Sequence, residues 1–128
     1  MNQMKQSPLA NDGVSCAVCH QIKSDNFGMP GSYSGGYVIT GERNIYGPYQ
    51  NPLTGPMINF VNYMTLYSAH VSKSELCATC HTLFTPTINY SGQIVGSFAE
   101  QTPYIEWKNS IYGQYEINCQ NCHMPTTS

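Results

Sequence analysis

The sequence predicts a mostly irregular chain with a few short α-helices and one β-hairpin, organised around something other than an aliphatic core. Three observations predict this. Leucine is scarce: Leu9, Leu53, Leu66, Leu76 and Leu83 are the five in 128 residues. Loop formers and aromatics are abundant instead, with 11 Gly, 8 Pro and 10 Tyr. The six cysteines fall into three pairs of one spacing, Cys16/Cys19, Cys77/Cys80 and Cys119/Cys122. The length suggests a single domain spanning residues 1–128.

The elements follow in chain order. Residues 1–13 read as an irregular arm, broken by Pro8 and the Asn-Asp-Gly run at 11–13. The segment 26–56 is rich in Gly, Pro, Tyr, Ser and Asn and lacks a helical period; it reads as a long structured loop with a short strand at Gly36–Thr40. A loop of that length in a compact domain is usually functional or wraps something. Met57, Phe60, Val61, Met64 and Tyr67 or Ser68 recur at i, i+3, i+4, i+7, the spacing of an amphipathic helix ending near His70. Ser72-x-x-Glu75 is a capping-box pattern, so a short helix should carry the second cysteine pair. Residues 86–98 read as a hairpin around Ser91-Gly92. Thr102 as N-cap and Pro103 at the first helical position open a helix through about Tyr112, with Tyr104, Trp107, Lys108 and Ile111 on one face.

Charge narrows the partners. Only 9% of residues are charged, against roughly 25% in an ordinary soluble domain. The net charge of -2 lacks the basic stripe that nucleic acid requires. No window holds about 18 consecutive apolar residues, so no membrane span is expected. Residues 1–15 show no apolar h-region; if the protein is exported, the expectation is that its signal has been removed or that the chain is a piece of a longer one.

Each cysteine pair is followed at once by a histidine: His20, His81 and His123. Cys-x-x-Cys-His is the attachment sequence of c-type haem. The two thiols add across the vinyl groups, and the adjoining imidazole reaches the iron. Covalent attachment lets a short, loop-rich chain retain a large apolar cofactor without a deep pocket. Three porphyrins would then supply the core that the aliphatic residues do not. Zinc and disulfides are the alternatives. Zinc ribbons pair knuckles about 15–20 residues apart, whereas the separations here are 61 and 42, and three pairs leave one knuckle over. Neither zinc nor structural disulfides ask for a histidine at the very next position. Chance would place three of the four histidines there about once in 30,000 sequences. A thioredoxin-like site needs one pair in a βαβ setting, which is absent. The segments between motifs do not resemble each other, so a site repeats here rather than a structural module.

On these motifs, together with "SPLANDGVSCAVCHQI", "IYGPYQNP", "HVSKSELCATCH" and "EQTPYIEWKNSIY…NCQNCHMP", about half the chain resembles multihaem c-type cytochromes, of the broad group of hydroxylamine-oxidoreductase-related electron carriers. The resemblance implies a small haem-cored triheme cytochrome with three haems c, export to the periplasm or the cell exterior, and electron transfer. Such proteins often continue upstream with more haem motifs, so it also implies a piece of a longer chain or a shortened relative.

Axial ligands are where the residues run short. His20, His81 and His123 are the proximal ligands, and bis-histidine coordination of three irons would need six histidines; His70 alone is spare. In the resembled family a histidine in this place commonly serves the haem of a neighbouring motif, which makes His70 the candidate sixth ligand of the first haem. Met57 and Met4, and after them Met29, are candidate distal ligands; a thioether favours reduced iron. Met64 reads as packing, and Met124 adjoins His123 too closely to reach that iron. Tyr33, Tyr37, Tyr46, Tyr49, Tyr104, Tyr112 and Trp107 read as packing for porphyrin faces. Arg43, Lys5, Lys23, Lys73 and Lys108 are the bases available for propionates, with Arg43 in its aromatic loop the foremost.

Electron transfer among three closely spaced haems is the expected function, with other redox proteins or copies of the same chain as partners. Scarce charge, many Tyr and Gly, and long loops also suit a subunit of an extracellular cytochrome polymer, in which neighbours contribute missing ligands. The alternative is a haem enzyme acting on a small nitrogen or oxygen species at a five-coordinate iron. Against it, no residue set stands ready to deliver protons.

Overall fold

The computed structural model of the protein describes Pro8, Asn11 and residues 13–125. The candidate ligand Met4, the base Lys5 and most of the expected N-terminal arm lie outside the described residues. Six short helices occur among them: α1 (Cys16–Gln21), α2 (Gly55–Val61), α3 (Ser74–Ala78), α4 (Pro103–Lys108), α5 (Ile111–Gln114) and α6 (Cys119–His123). The strands are β1 (Asn44–Gly47), β2 (Met64–Tyr67), β3 (Leu83–Ile88) and β4 (Ile94–Gln101), with 3-10 turns at Pro30–Ser32 and Ala69–Ser72. Strands β1 and β2 pair in parallel, Asn44 opposite Met64 and Gly47 opposite Tyr67. Strands β3 and β4 form an antiparallel hairpin. The expected coarse class, mostly irregular with short helices and a hairpin, is what the structure shows.

Several boundaries differ from expectation. The long loop has its strand at Asn44–Gly47 rather than 36–40. Val38 makes only an isolated bridge to Lys23. Its neighbours are held elsewhere: Ser34 and Gly35 donate their backbone N–H groups to Thr82 and Thr79 carbonyls, each at 2.8 Å. The helix expected from 57 to about 70 stops at Val61. Asn62 adopts a left-handed conformation (φ 56, ψ 42), and its N–H returns to the Ile58 and Met57 carbonyls. Asparagine enters that conformation at low cost and so ends helices. Met64–Tyr67 then extends against β1, because its backbone finds a partner there that outweighs a weak helical period.

The helix of the second motif forms without the capping box. Lys73 is its N-cap and contributes no side-chain bond. The acceptor comes from 44 residues away, where Asn118 Oδ1 takes the Ser74 N–H at 3.1 Å. The helix opened by Pro103 ends at Lys108 and restarts at Ile111. Ser110 causes the restart, because its side chain accepts from the Tyr112 and Gly113 N–H groups and caps the new helix. Gly113 then comes so near α4 that a Cβ there would lie 2.5 Å from the Trp107 carbonyl oxygen. In the hairpin, Asn89 Oδ1 accepts from Ser91 and Gln93 N–H groups, and Gly92 takes the positive φ of 76.

The core is thin, as the composition implies. Its buried apolar side chains are Ile22, Val71, Ala78 and Tyr104. An aromatic row supplements them: Tyr33, Tyr104 and Trp107 follow each other at 6.1 and 5.6 Å between ring centroids. The chain exposes 9575 Å². A compact monomer of its 14.2 kDa exposes about 6,800 Å². Large apolar side chains stand exposed, among them Leu53, Phe60, Phe98 and Ile111. No helix among the described residues is long and apolar enough to cross a membrane.

Candidate functional site

All three Cys-x-x-Cys-His motifs take one local shape. Cys16, Cys19 and His20 lie within α1, and Cys119, Cys122 and His123 make up the ends and last turn of α6. In the second motif α3 ends at Ala78, but the N–H groups of Cys80 and His81 both return to the Cys77 carbonyl, at 3.2 and 2.8 Å. In each case, therefore, a helical turn sets the two thiols at i and i+3 and the imidazole at i+4, all on one side. One face of a turn thus carries two sulfurs and an imidazole.

The thiols are free, and in each motif one is half-buried and one exposed. The inner ones are Cys19, Cys77 and Cys119. Burial, followed by the nearby Cys119 and Cys19, pushes the Cys77 thiol up to about 11. Burial and then Cys80 raise the Cys19 thiol, with Cys16 of its own motif behind them. Both thiols therefore stay protonated at neutral pH. Among the described residues no three His, Cys, Asp or Glu side chains converge so as to hold a metal ion.

The proximal candidates differ in surroundings. His20 is half-buried, and its Nδ1 lies 2.5 Å from the Tyr46 carbonyl oxygen of β1. A carbonyl accepts only, so Nδ1 donates to it and Nε2 is the nitrogen a metal would meet, the arrangement metal-bound histidines commonly adopt. His81 and His123 are exposed. His70 sits where the first motif ends. Its Nε2 lies 2.8 Å from the Ile22 carbonyl and its Nδ1 2.6 Å from Ser68 Oγ. Phe27 and Tyr46 rings stand edge-on to it at 5.5 and 5.1 Å. Burial, more than any neighbouring charge, lowers its basicity, which keeps the ring neutral. Its Nε2–H donates to the Ile22 carbonyl and its Nδ1 accepts the Ser68 hydroxyl, so ligation through Nε2 would break the Ile22 bond and shift the proton to Nδ1, with Ser68 then accepting.

The remaining candidates scatter. Met57 is half-buried on α2, while Met29 is 60% exposed. Arg43 lies over the Tyr63 ring at 5.1 Å. Lys23 pairs with Glu42 at 3.9 Å, on the surface. Tyr104 and Trp107 stack at 5.6 Å, and Tyr49 is 73% exposed. A cleft of about 430 Å³ lies between Phe27, Met29, Glu75, Tyr104 and Trp107, and a second of about 330 Å³ adjoins it beside Phe27, His70 and Lys73.

Two positioning features escaped sequence reasoning. The Tyr46 carbonyl is a backbone group on a strand that no local pattern announced. Asn118, directly before the third motif, does carry a signal, since asparagine ahead of a helix is a capping residue; its use on α3 rather than on α6 is a tertiary fact. No family model, no curated protein and no solved structure matches the chain.

Proposed function

We propose that the chain is an electron-transfer protein holding three haems c through Cys16/Cys19/His20, Cys77/Cys80/His81 and Cys119/Cys122/His123, and that it works outside the cytoplasm, where such haems are attached. One observation carries the reading: each motif is a single helical turn with both sulfurs and the imidazole on one side, repeated three times in a chain that buries almost no aliphatic core. The orientation of His20, with Nδ1 bonded and Nε2 free, supports it. So does the exposed apolar surface, which porphyrin faces would cover. Bound haem supplies an iron that gains and loses one electron. The chain's own residues set the potential through axial ligands, burial and hydrogen bonds.

Export in a host able to attach c-type haem, followed by intact-mass measurement, tests the proposal. The expected product is the chain plus three haems, with a reduced spectrum of c-type. An unmodified mass with stoichiometric zinc would overturn it.

The β3–β4 hairpin favours the polymeric form of this reading. Every residue of β4 is exposed, and Ile94, Val95 and Phe98 stand in solvent. A lone two-stranded hairpin is marginal in water and offers open edges, so packing on another copy of the chain would steady it. Electron microscopy of the exported material would show filaments; discrete particles alone would sink this form.

A further inference from the structure

The second and third motifs are tied at their helix starts by an exchange of hydrogen bonds. Asn118 Oδ1 accepts from both the Ser74 N–H and the Ser74 hydroxyl, each at 3.1 Å, and Ser74 Oγ accepts the Cys119 N–H at 3.0 Å. Ser74 is fully buried. Gln120 reinforces the joint, its Nε2 donating to the Val71 and Lys73 carbonyls at 3.2 and 2.8 Å. The inner thiols Cys77 and Cys119 sit on the two helices so tied, and Cys119 is near enough to help raise the Cys77 thiol. Cys77 also lies within electrostatic reach of Cys19, and Cys19 of Cys80. The first motif is tied to the second by the buried contact between His70 Nε2 and the Ile22 carbonyl, since Ile22 follows the first motif and His70 stands four residues before α3.

We propose that Ser74 and Asn118 are positioning residues that hold the second and third motifs in contact, so that the second motif is the middle station of the three and shares its nearest edge with the third. The inference rests on the haem reading above. A thioether sulfur marks the edge of the group it holds, so neighbouring sulfurs mean neighbouring edges. Electrons entering at the first motif would pass through the second to reach the third.

The haem-loaded, full-length chain carries the test. In its experimentally determined structure, the iron of the second motif should lie nearer to each of the other two irons than those lie to each other. A shortest separation between the first and third irons would overturn the proposal, while leaving three haems on the chain and the haem reading intact. Fewer than three haems by mass would overturn both. Asn118→Ala should keep three haems but lose the bisignate Soret circular-dichroism couplet of the second and third stations, and Asn118→Asp, which retains the acceptor oxygen, should restore it. An unaltered couplet in Asn118→Ala with three haems attached would also overturn the clamp.

Discussion

His20 and His70 differ in which ring nitrogen their hydrogen bonds leave open to a metal. His20 offers Nε2 because Tyr46 holds Nδ1. His70 has both nitrogens engaged, so its ligation costs the Ile22 bond and keeps Ser68. If His70 completes the first iron, His70→Ala should remove one bis-histidine low-spin species from the low-temperature EPR spectrum of the oxidised protein and leave the other two irons unaltered. An unaltered spectrum would assign His70 to packing. Elsewhere at this scale, Ile22 is 1% exposed and stands at the joint between the first motif and His70. Ile22→Ala should destabilise the folded protein by about 2–5 kcal/mol in equilibrium denaturation. Tyr104 has its hydroxyl pushed up to about 12, first by burial and then by Glu75, from an ordinary 10. Because folding favours its neutral form, its contribution is complete below pH 10 and is lost as pH rises toward 12. Tyr104→Phe should therefore show a shallower loss of stability over that window than the parent chain.

Among elements, the break at Asn62 decides most. A helix through residue 68 would leave β1 without its partner and the Tyr46 carbonyl without its strand. The left-handed cap at Asn62 prevents that, and a β-branched residue resists the same conformation. Asn62→Val should cost about 1–2 kcal/mol, whereas Asn62→Gly should be close to neutral, by thermal melting of the haem-loaded chain. The hairpin behaves differently. Phe98 is 61% exposed within it. Phe98→Ser should leave the melting temperature of isolated subunits unaltered and shorten or abolish filaments under electron microscopy, if the hairpin packs on a neighbour.

For the molecule as a whole, the telling quantity is exposed surface. A chain of 14.2 kDa exposing 9575 Å² has few buried apolar side chains to set against chain entropy, and bound haem faces would add to them. The haem-free chain, produced with all six cysteines replaced by alanine, should lack a cooperative thermal transition, and the haem-loaded chain should show one.

The sequence alone determined the local chemistry, because that chemistry is written in adjacent residues. The i, i+3, i+4 order of Cys, Cys and His places the three side chains on one side of a helical turn, expected from sequence at Cys77 and found by the structure at Cys16 and Cys119 as well. The turn at Asn89–Gln93 and the helix start at Pro103 were legible for the same reason. What only the tertiary structure decided depends on contacts between residues far apart in sequence. The pairing of β1 with β2 overrode the helical period after Val61. The Tyr46 carbonyl selected the His20 tautomer, and Asn118 capped a helix 44 residues away. Local patterns specify which turn a segment can make, but a backbone hydrogen bond goes to whichever partner the fold brings near.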